Sequence, residues 1–284
     1  MPITPDPTGL RSKAETLRAL HIPGTPLVLP NAWDAASARI VEAAGAAVVA
    51  TTSAAVSWDQ GAADGRHPDR DRAVAVVARI AAAVDVPVTA DIESGYADDA
   101  EGVAVTVRAV LAAGAVGVNL EDAPGPDGEP LLPVEEQCRR IAAARAAADA
   151  VGVPLCINAR TDIHLRAVGE PAERLALTLD RAAAFLAAGA DGIFVPGVVD
   201  PVPVKALVEG IEGPLNVMAG PGAPPVAELA GLGVARISVG AGIAQAAHAL
   251  VRRAAQDLLT TGGYEALAGG LAYSDLNPLL GGGR

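Results

Sequence analysis

The chain has 284 residues, of which 51% are hydrophobic and only 2% aromatic, and its formal net charge is −12 at pH 7. Its core must therefore be built from Ala, Val, Leu and Ile, which suits parallel strands and helices packed through small side chains. The acidic balance, without any basic stripe, argues against a nucleic-acid or anionic-membrane partner. A small anionic substrate would need a local cation or metal.

The two cysteines, Cys138 and Cys156, are too few for a disulfide framework. No apolar segment follows the first charges, and no apolar run reaches the ~18 residues of a membrane-spanning helix. These features predict a protein of the reducing cytoplasm.

Short buried runs alternate with amphipathic helical windows along the whole chain. Strands are predicted at 27–30, 46–52, 86–91, 116–122, 154–162, 192–197, 215–220 and 236–240. Helices are predicted at 34–44, 71–84, 98–113, 134–151, about 171–188, about 202–210, 225–232 and 241–260. Glycine recurs at the helix-to-strand junctions, as in LAAGAVGV and LAAGADGI, where it can form a left-handed helix cap.

This alternation predicts one α/β domain over residues 1–284, a (β/α)8 TIM-type barrel with no linker. A doubly wound open sheet is the structural alternative, but no GxGxxG opens the first helix to favour it. The segment from about 263 onward is expected to be an irregular tail or an arm that packs on a neighbour.

Polar residues follow the predicted strands at their carboxyl ends. They are Thr52, Ser53, Ser57, Asp59 and Asp64 after strand two, Asp91 and Glu93 after strand three, Asn119, Glu121 and Asp122 after strand four, Asn158, Arg160 and Asp162 after strand five, and Asn216 on strand seven. Because the carboxyl ends of barrel strands face one mouth, these side chains should converge there.

Several carboxylates gathered without lysine would repel one another and raise their pKa values unless a cation lies among them. A single acid after a strand is more often a helix cap or a solvated charge, and we interpret Asp149 and the pair at 98–99 in that way. Acidic residues occur at neighbouring strand ends in the case of Asp91, Glu93 and Glu121. This repetition predicts a metal site. Oxygen ligands without a His or Cys group favour Mg²⁺ or Mn²⁺ over zinc.

Arg160 lies among these acids at the end of strand five. One interpretation is a structural ion-pair partner, as is common for a buried arginine. The other is a fork that holds a carboxylate or carbonyl oxygen of a substrate.

The chain resembles the isocitrate lyase and phosphoenolpyruvate mutase superfamily over most of its length. The matching stretches are NAWDAASARIVEAAG (31–45), ATTSAAVSWDQGAADG (50–65), TADIESGY (89–96), AGAVGVNLED (113–122), INARTD (157–162) and AAGADGIFVPG (187–197). TADIESGY looks like the superfamily's metal motif, in which two acids separated by one residue precede Gly-Tyr.

The resemblance implies a set of site residues. Asp91 would contact Mg²⁺ (or Mn²⁺), while Asp64, Glu93 and Glu121 would hold its water ligands. Ser53 and the backbone at 54–55 would bind the carboxylate of a 2-oxo acid. The candidate substrate-binding residues are thus Ser53, Ala54, Ala55, Arg160 and Asn216, and the candidate catalytic residues are Arg160, Glu121 and Ser53.

The chemistry shared by the superfamily is the formation or use of an enolpyruvate-like anion. Mg²⁺ and Arg160 would stabilise the oxygen charge as a neighbouring bond breaks. The implied function is a Mg²⁺-dependent carbon–carbon lyase or decarboxylase acting on a small 2-oxo or 2-hydroxy dicarboxylic acid. The resemblance also implies a homotetramer, or at least a homodimer, with exchanged C-terminal helices.

The chain departs from the superfamily pattern in the loop APGPDGEPLLP (123–133). The loop has no Cys, Lys or His, so a cysteine-dependent lyase is disfavoured, and Cys138 beyond it is interpreted as a packing residue. Strand six ends at Pro196, where mutases carry a histidine. Candidates for the acid or base role are water and the loop carboxylates Asp127 and Glu129, and the loop resembles a lid.

Three alternatives stay open at this point. The first is C–P chemistry of the phosphoenolpyruvate mutase or phosphonopyruvate hydrolase type. The second is a phosphate site on the glycines of 217–225 and 238–245. The third is a barrel that binds a ligand without catalysis. His164, near Arg160, is a weak candidate for the mouth, and Trp33 and Trp58 suit either the pocket wall or the core.

Overall fold

The computed structural model describes residues 7–65, 69–124 and 129–281. Its strands are β1 (Leu27–Leu29), β2 (Asn31–Ala32), β3 (Val49–Thr51), β4 (Val88–Asp91), β5 (Gly117–Glu121), β6 (Cys156–Arg160), β7 (Gly192–Val195), β8 (Leu215–Met218) and β9 (Arg236–Ser238). Its helices are α1 (Pro7–Ala19), α2 (Ala35–Ala43), α3 (Ser53–Asp59), α4 (Arg70–Ala83), α5 (Ala100–Ala112), α6 (Val134–Val151), α7 (Arg174–Ala187), α8 (Pro201–Gly210), α9 (Val226–Gly231), α10 (Gly242–Thr260) and α11 (Tyr273–Gly281).

The strands pair in the order β1-β9-β8-β7-β6-β5-β4-β3-β2, and every pair is parallel. The two strands at the ends of this order, β1 and β2, are separated in the chain by Pro30 alone. Proline has no N–H to donate to a ladder, so it divides one stave into two short strands. β1 pairs with β9 and β2 with β3, and the sheet forms a nearly closed barrel of eight staves. The predicted TIM-type fold is confirmed.

Aliphatic side chains fill the core, as the composition predicts. Helix α5 contributes Val103, Val107 and Val110, all fully buried at helical spacing. Helix α1, which the sequence pattern did not predict, buries Leu10 and Leu17. A Cβ on Gly117, which begins β5, would lie 2.6 Å from Leu17, so α1 covers the amino-terminal end of the barrel.

The segment after residue 263 contains a 3₁₀ turn at Glu265–Leu267 and the helix α11. The sequence predicts here an irregular tail or an arm that packs on a neighbour, and the last part of the segment is helical. Several large apolar side chains are exposed on α10 and beyond it, including Val251 at 65%, Leu259 at 84% and Tyr273 at 81%. Such a surface suits burial against a second chain. Exchange of terminal helices in a homotetramer stays a prediction. Within the described ranges, no helix is both long and apolar enough to span a bilayer.

Candidate active site

A tight turn after β4 projects the acidic motif into the barrel mouth. Glu93, Gly95 and Tyr96 have φ values of +51°, +96° and +50°, and this left-handed backbone costs about 1–2 kcal/mol for a residue with a side chain. The Gly95 N–H donates to the Ile92 carbonyl at 2.8 Å, and the hydroxyl of Thr106 donates to the Gly95 carbonyl at 2.7 Å. These bonds stabilise a strained turn that carries Glu93.

Asp91, the last residue of β4, is held by the neighbouring stave. Its Oδ2 accepts from the Ser53 N–H at 3.0 Å and from the Ser53 hydroxyl at 2.9 Å. Its own N–H donates to Thr51 Oγ1 at 2.9 Å. The other carboxylate oxygen, Oδ1, is buried and has no hydrogen-bond partner among the described residues. One oxygen is therefore fixed and the other is available to a ligand.

Arg160, the last residue of β6, is clamped between two acids. Its Nε and Nη2 donate to the two carboxylate oxygens of Asp162 at 2.6 and 3.0 Å, and its Nη1 lies 2.9 Å from Glu121 Oε2. The guanidinium carbon lies 5.6 Å from the centre of the Phe194 ring. Burial alone would lower the pKa of Arg160, but the charges of Glu121 and Asp162 outweigh burial and raise it above its ordinary value.

Three of the carboxyl groups at the mouth, those of Asp64, Glu93 and Glu121, have raised pKa values. Burial, and then the charge of Asp91, raises the pKa of Glu93 to about 7. Burial raises the pKa of Glu121 to about 8, although Arg160 opposes the shift. The pKa of Asp64 is raised for the same reasons as that of Glu93. This is the electrostatic strain that a bound cation would relieve.

Two adjoining cavities open at this mouth, with volumes of about 450 and 160 Å³. Ser53, Asp64 and Arg160 line both of them. Asp91 and Ala54 line the larger cavity, and Glu93 and Glu121 line the smaller one. The structure thus brings together the predicted metal residues Asp64, Asp91, Glu93 and Glu121 with Ser53, Ala54 and Arg160.

Two other candidate residues do not line these cavities. Ala55 is fully buried in α3. Asn216 is buried on β8, where its Oδ1 accepts from the Ser238 hydroxyl at 3.4 Å. Ser238 itself lines the larger cavity, so Asn216 lies behind a residue of the cavity wall.

In the part of the chain that the structure describes, no group of three or more His, Cys, Asp or Glu side chains is arranged to hold a metal ion directly. The four acids reach the mouth from three staves, since Asp91 and Glu93 share β4 and the turn after it, and they do not close into a cage. Asp91 Oδ1 is the buried oxygen with an open position, so these residues fit an ion that takes one protein ligand and keeps water on its other positions.

The structure assigns the two tryptophans that the sequence left open. Trp58 lines the larger cavity, and its ring meets that of His248 edge-on at 6.1 Å. Trp33 is partly buried against the hydrophobic core. His164 does not line either cavity, whereas its neighbour Leu165 lines both.

The two acid–base candidates of the loop 123–133 were Asp127 and Glu129, and the described one, Glu129, lines neither cavity. Glu129 is exposed, and Asp127 lies outside the described residues. Cys138 lies on α6, and its Sγ is 3.5 Å from the Ala184 carbonyl on α7. Burial raises the pKa of this thiol, which agrees with the packing role interpreted from the sequence.

Several cavity residues were not selected by sequence reasoning. Asn31, Phe194, Met218 and Gln245 all line the larger cavity. Asn31 could have been found because it directly follows a predicted strand. Gln245 gave no such signal, since it lies within α10. Gly220, Gly240 and Gly242, from the glycine segments 217–225 and 238–245, also line this cavity.

The fold and the site together define an α/β barrel whose mouth gathers four acids and one arginine around two cavities. The chain belongs to the phosphoenolpyruvate phosphomutase family, whose model matches residues 17–259.

A phosphoenolpyruvate phosphomutase of Streptomyces hygroscopicus is 32% identical over 267 residues, covering 89% of this chain and 82% of the relative. A crystal structure of a provisionally named phosphonomutase from Burkholderia cenocepacia J2315 is 43% identical with a TM-score of 0.83, covering 89% of this chain and all of that one. A phosphonopyruvate hydrolase solved with oxalate and Mg²⁺ is 26% identical with a TM-score of 0.81, covering 95% of each chain.

Proposed function

We propose that this protein is a Mg²⁺-dependent lyase or decarboxylase that breaks a carbon–carbon bond in a small 2-oxo or 2-hydroxy dicarboxylic acid through an enolpyruvate-like intermediate. The observation that carries the proposal is the shared cavity of Asp91, Ser53 and Arg160. Asp91 has one carboxylate oxygen without a hydrogen-bond partner among the described residues, and it lines the same cavity as the guanidinium of Arg160. A metal-held 2-oxo acid needs both groups.

The metal fits the donor set. Asp91 would provide the direct ligand through Oδ1, and Asp64, Glu93 and Glu121 would hold water ligands. Bound Mg²⁺ supplies positive charge that stabilises the oxyanion developing on the substrate. The Mg²⁺ and oxalate in the structure of the related phosphonopyruvate hydrolase support the same arrangement here.

Arg160 would bind and orient the substrate. Its guanidinium has five N–H donors, and the bonds to Asp162 and Glu121 use three of them. The others can donate to the oxo and carboxylate oxygens of a substrate, where charge grows as the bond breaks. Because both acids hold the fork in place, little reorganisation is needed during the reaction.

Ser53 would bind the substrate carboxylate with the backbone of Ala54 and Ala55. In the structure both donors of Ser53 are directed at Asp91 Oδ2. If a bound metal ion drew Asp91 away from Ser53, these donors would become available to the carboxylate of the substrate. Ser53 thus couples the metal position to the substrate position. Asn216 stays a candidate contact behind the cavity wall.

C–P chemistry is the second candidate. The family match and the similar phosphomutase and phosphonopyruvate hydrolase support it. The loop at 123–133 without Lys, and Pro196 at the end of β7, argue against the mutase reaction. A barrel that binds the acid without turnover is the candidate of another class. We further propose a cytoplasmic homotetramer, as the resemblance implies.

The test is a turnover assay with oxaloacetate, phosphonopyruvate, phosphoenolpyruvate and alkylmalates, with Mg²⁺ and with EDTA. We expect EDTA-sensitive cleavage of a dicarboxylate, and Arg160→Lys should lower kcat/KM by at least about 100-fold because the planar fork is lost. Arg139→Lys, at an exposed position on α6, is the control and should retain full activity. Cleavage of phosphonopyruvate alone would favour C–P chemistry, and the absence of EDTA-sensitive turnover would contradict catalysis of this type.

A further inference from the structure

A fully buried arginine lies inside the barrel, beneath the larger cavity. Arg236 on β9 is 1% exposed, and its Nη2 donates to Asn119 Oδ1 at 3.1 Å across the barrel interior. Its Nε and Nη1 are buried and have no partner within the described part of the chain. Burial lowers the pKa of Arg236 to about 10. The main polar contact of this cation is thus a neutral amide.

The orientation of the Asn119 amide is set by two donors. Besides Arg236, the side chain of Asn158 on the neighbouring strand β6 donates to the same Oδ1 at 2.8 Å. Reversing the amide would place its NH₂ group against both donors. The Asn119 oxygen is therefore directed into the barrel. Asn119 also lines the larger cavity with Asp91 and Arg160, so its NH₂ is the group left for a ligand there.

Stability alone would favour a different residue at this position. An aspartate at 119 has the same shape, would accept from the same two donors, and would give the buried Arg236 a counter-ion. A buried charge without a counter-ion is costly, whereas a hydrogen-bonded pair offsets much of that cost. An asparagine has one property that an aspartate lacks here, which is an N–H donor on the cavity side.

We propose that Asn119 contacts the substrate by donating its amide N–H to an anionic oxygen of a carboxylate or phosphonate group, and that Arg236 and Asn158 are the positioning residues that hold this amide. This inference rests on one part of the proposed function, which is that a small anionic ligand binds at the barrel mouth. The buried cation also makes the cavity floor favourable for an anion.

The experiment compares the wild type with Asn119→Asp and Asn119→Ala in two measurements. The first is the affinity for oxalate in the presence of Mg²⁺, measured by calorimetry. The second is the free energy of unfolding in urea. We expect oxalate to bind about 10-fold more weakly to Asn119→Ala, which lacks the donor, and about 100-fold or more weakly to Asn119→Asp, which adds like-charge repulsion.

Stability should follow a different order. Asn119→Asp should be at least as stable as the wild type because Arg236 gains a counter-ion, and Asn119→Ala should be less stable because two buried donors lose their acceptor. If Asn119 had only a structural role, the order of the oxalate affinities among the three proteins would follow the order of their stabilities. Equal oxalate affinity of the wild type and Asn119→Asp, including binding below detection in both, would overturn the proposal, as would an Asn119→Asp variant that does not fold. If the expected orders appear but no dicarboxylate is turned over, the inference stands and the proposed reaction fails.

Discussion

Ser53 donates two hydrogen bonds to one carboxylate oxygen of Asp91, from its N–H at 3.0 Å and from its hydroxyl at 2.9 Å. These residues belong to neighbouring staves, and their contact orients the Asp91 carboxylate before any ligand binds. The remaining oxygen, Oδ1, is buried and has no hydrogen-bond partner among the described residues. We therefore expect a ligand to contact it. This pair therefore links the predicted metal position to the predicted substrate position.

The stability of the metal-free protein should fall as pH rises from 5 to 8.5. In the folded protein Glu93 stays protonated up to its pKa of about 7, and burial also raises the pKa of Glu121, whereas the ordinary value of both is 4.5. Between these limits the folded state binds more protons than the unfolded state, so raising the pH favours unfolding. Urea denaturation in EDTA at several pH values measures this slope, and Mg²⁺ should stabilise most at pH 8.5.

Glu93→Gln is the control for this pH dependence. The variant keeps the shape of the side chain and removes its titration, so the loss of stability between pH 5 and 7 should shrink by on the order of 2 kcal/mol. The exposed Glu209 on α8 provides a matched substitution, Glu209→Gln, that should leave the slope unchanged. An identical slope in Glu93→Gln and the wild type would show that Glu93 ionises normally.

Gly95→Ala should destabilise the protein by about 2–4 kcal/mol. A Cβ there would lie 2.6 Å from Val103 Cγ2, and the backbone φ of +96° adds strain for any L side chain. Gly152→Ala is the matched control, because its φ is +78° but no atom lies within 4 Å of the added Cβ. That variant should lose only about 1 kcal/mol. Equal losses in urea denaturation would mean that the contact with Val103 is unimportant.

Cys138→Ala should leave turnover unchanged within about 2-fold. The side chain packs between α6 and α7, away from both cavities, and burial raises the pKa of its thiol. The other cysteine, Cys156, is buried on β6 with its pKa raised to about 12. Thiol reagents should therefore not inhibit the enzyme. Loss of activity in Cys138→Ala, with the fold intact by circular dichroism, would reopen a cysteine-dependent mechanism.

The barrel was predictable because its signals are local. Each predicted strand after the first is a short buried run that follows a predicted helix, and the structure has a strand within every predicted run. The division of the first stave at Pro30 was missed because a proline at a strand end reads as a simple stop. Helix α1 was missed because its amphipathic pattern lies before the first strand, outside the repeated β/α unit.

The site was predictable to the extent that it consists of strand ends. The rule that these ends share one mouth brought Asp91, Glu93, Glu121 and Arg160 together from distant stretches. The bond between Asn119 and Arg236 was not predictable, because it joins strands on different sides of the barrel and residues 117 positions apart. The layer in which an inward side chain lies depends on the stagger of the staves, which periodicity alone does not specify.

The most direct test of the account is a Mn²⁺ titration followed by electron paramagnetic resonance. We expect the wild type to bind Mn²⁺ at the barrel mouth and Asp91→Ala to bind it at least about 100-fold more weakly, because the direct ligand is lost. Asp149→Ala, at an exposed position on α6, should bind as the wild type does. Unchanged Mn²⁺ affinity in Asp91→Ala would contradict the assignment of the metal to Asp91 and the mechanism that depends on it.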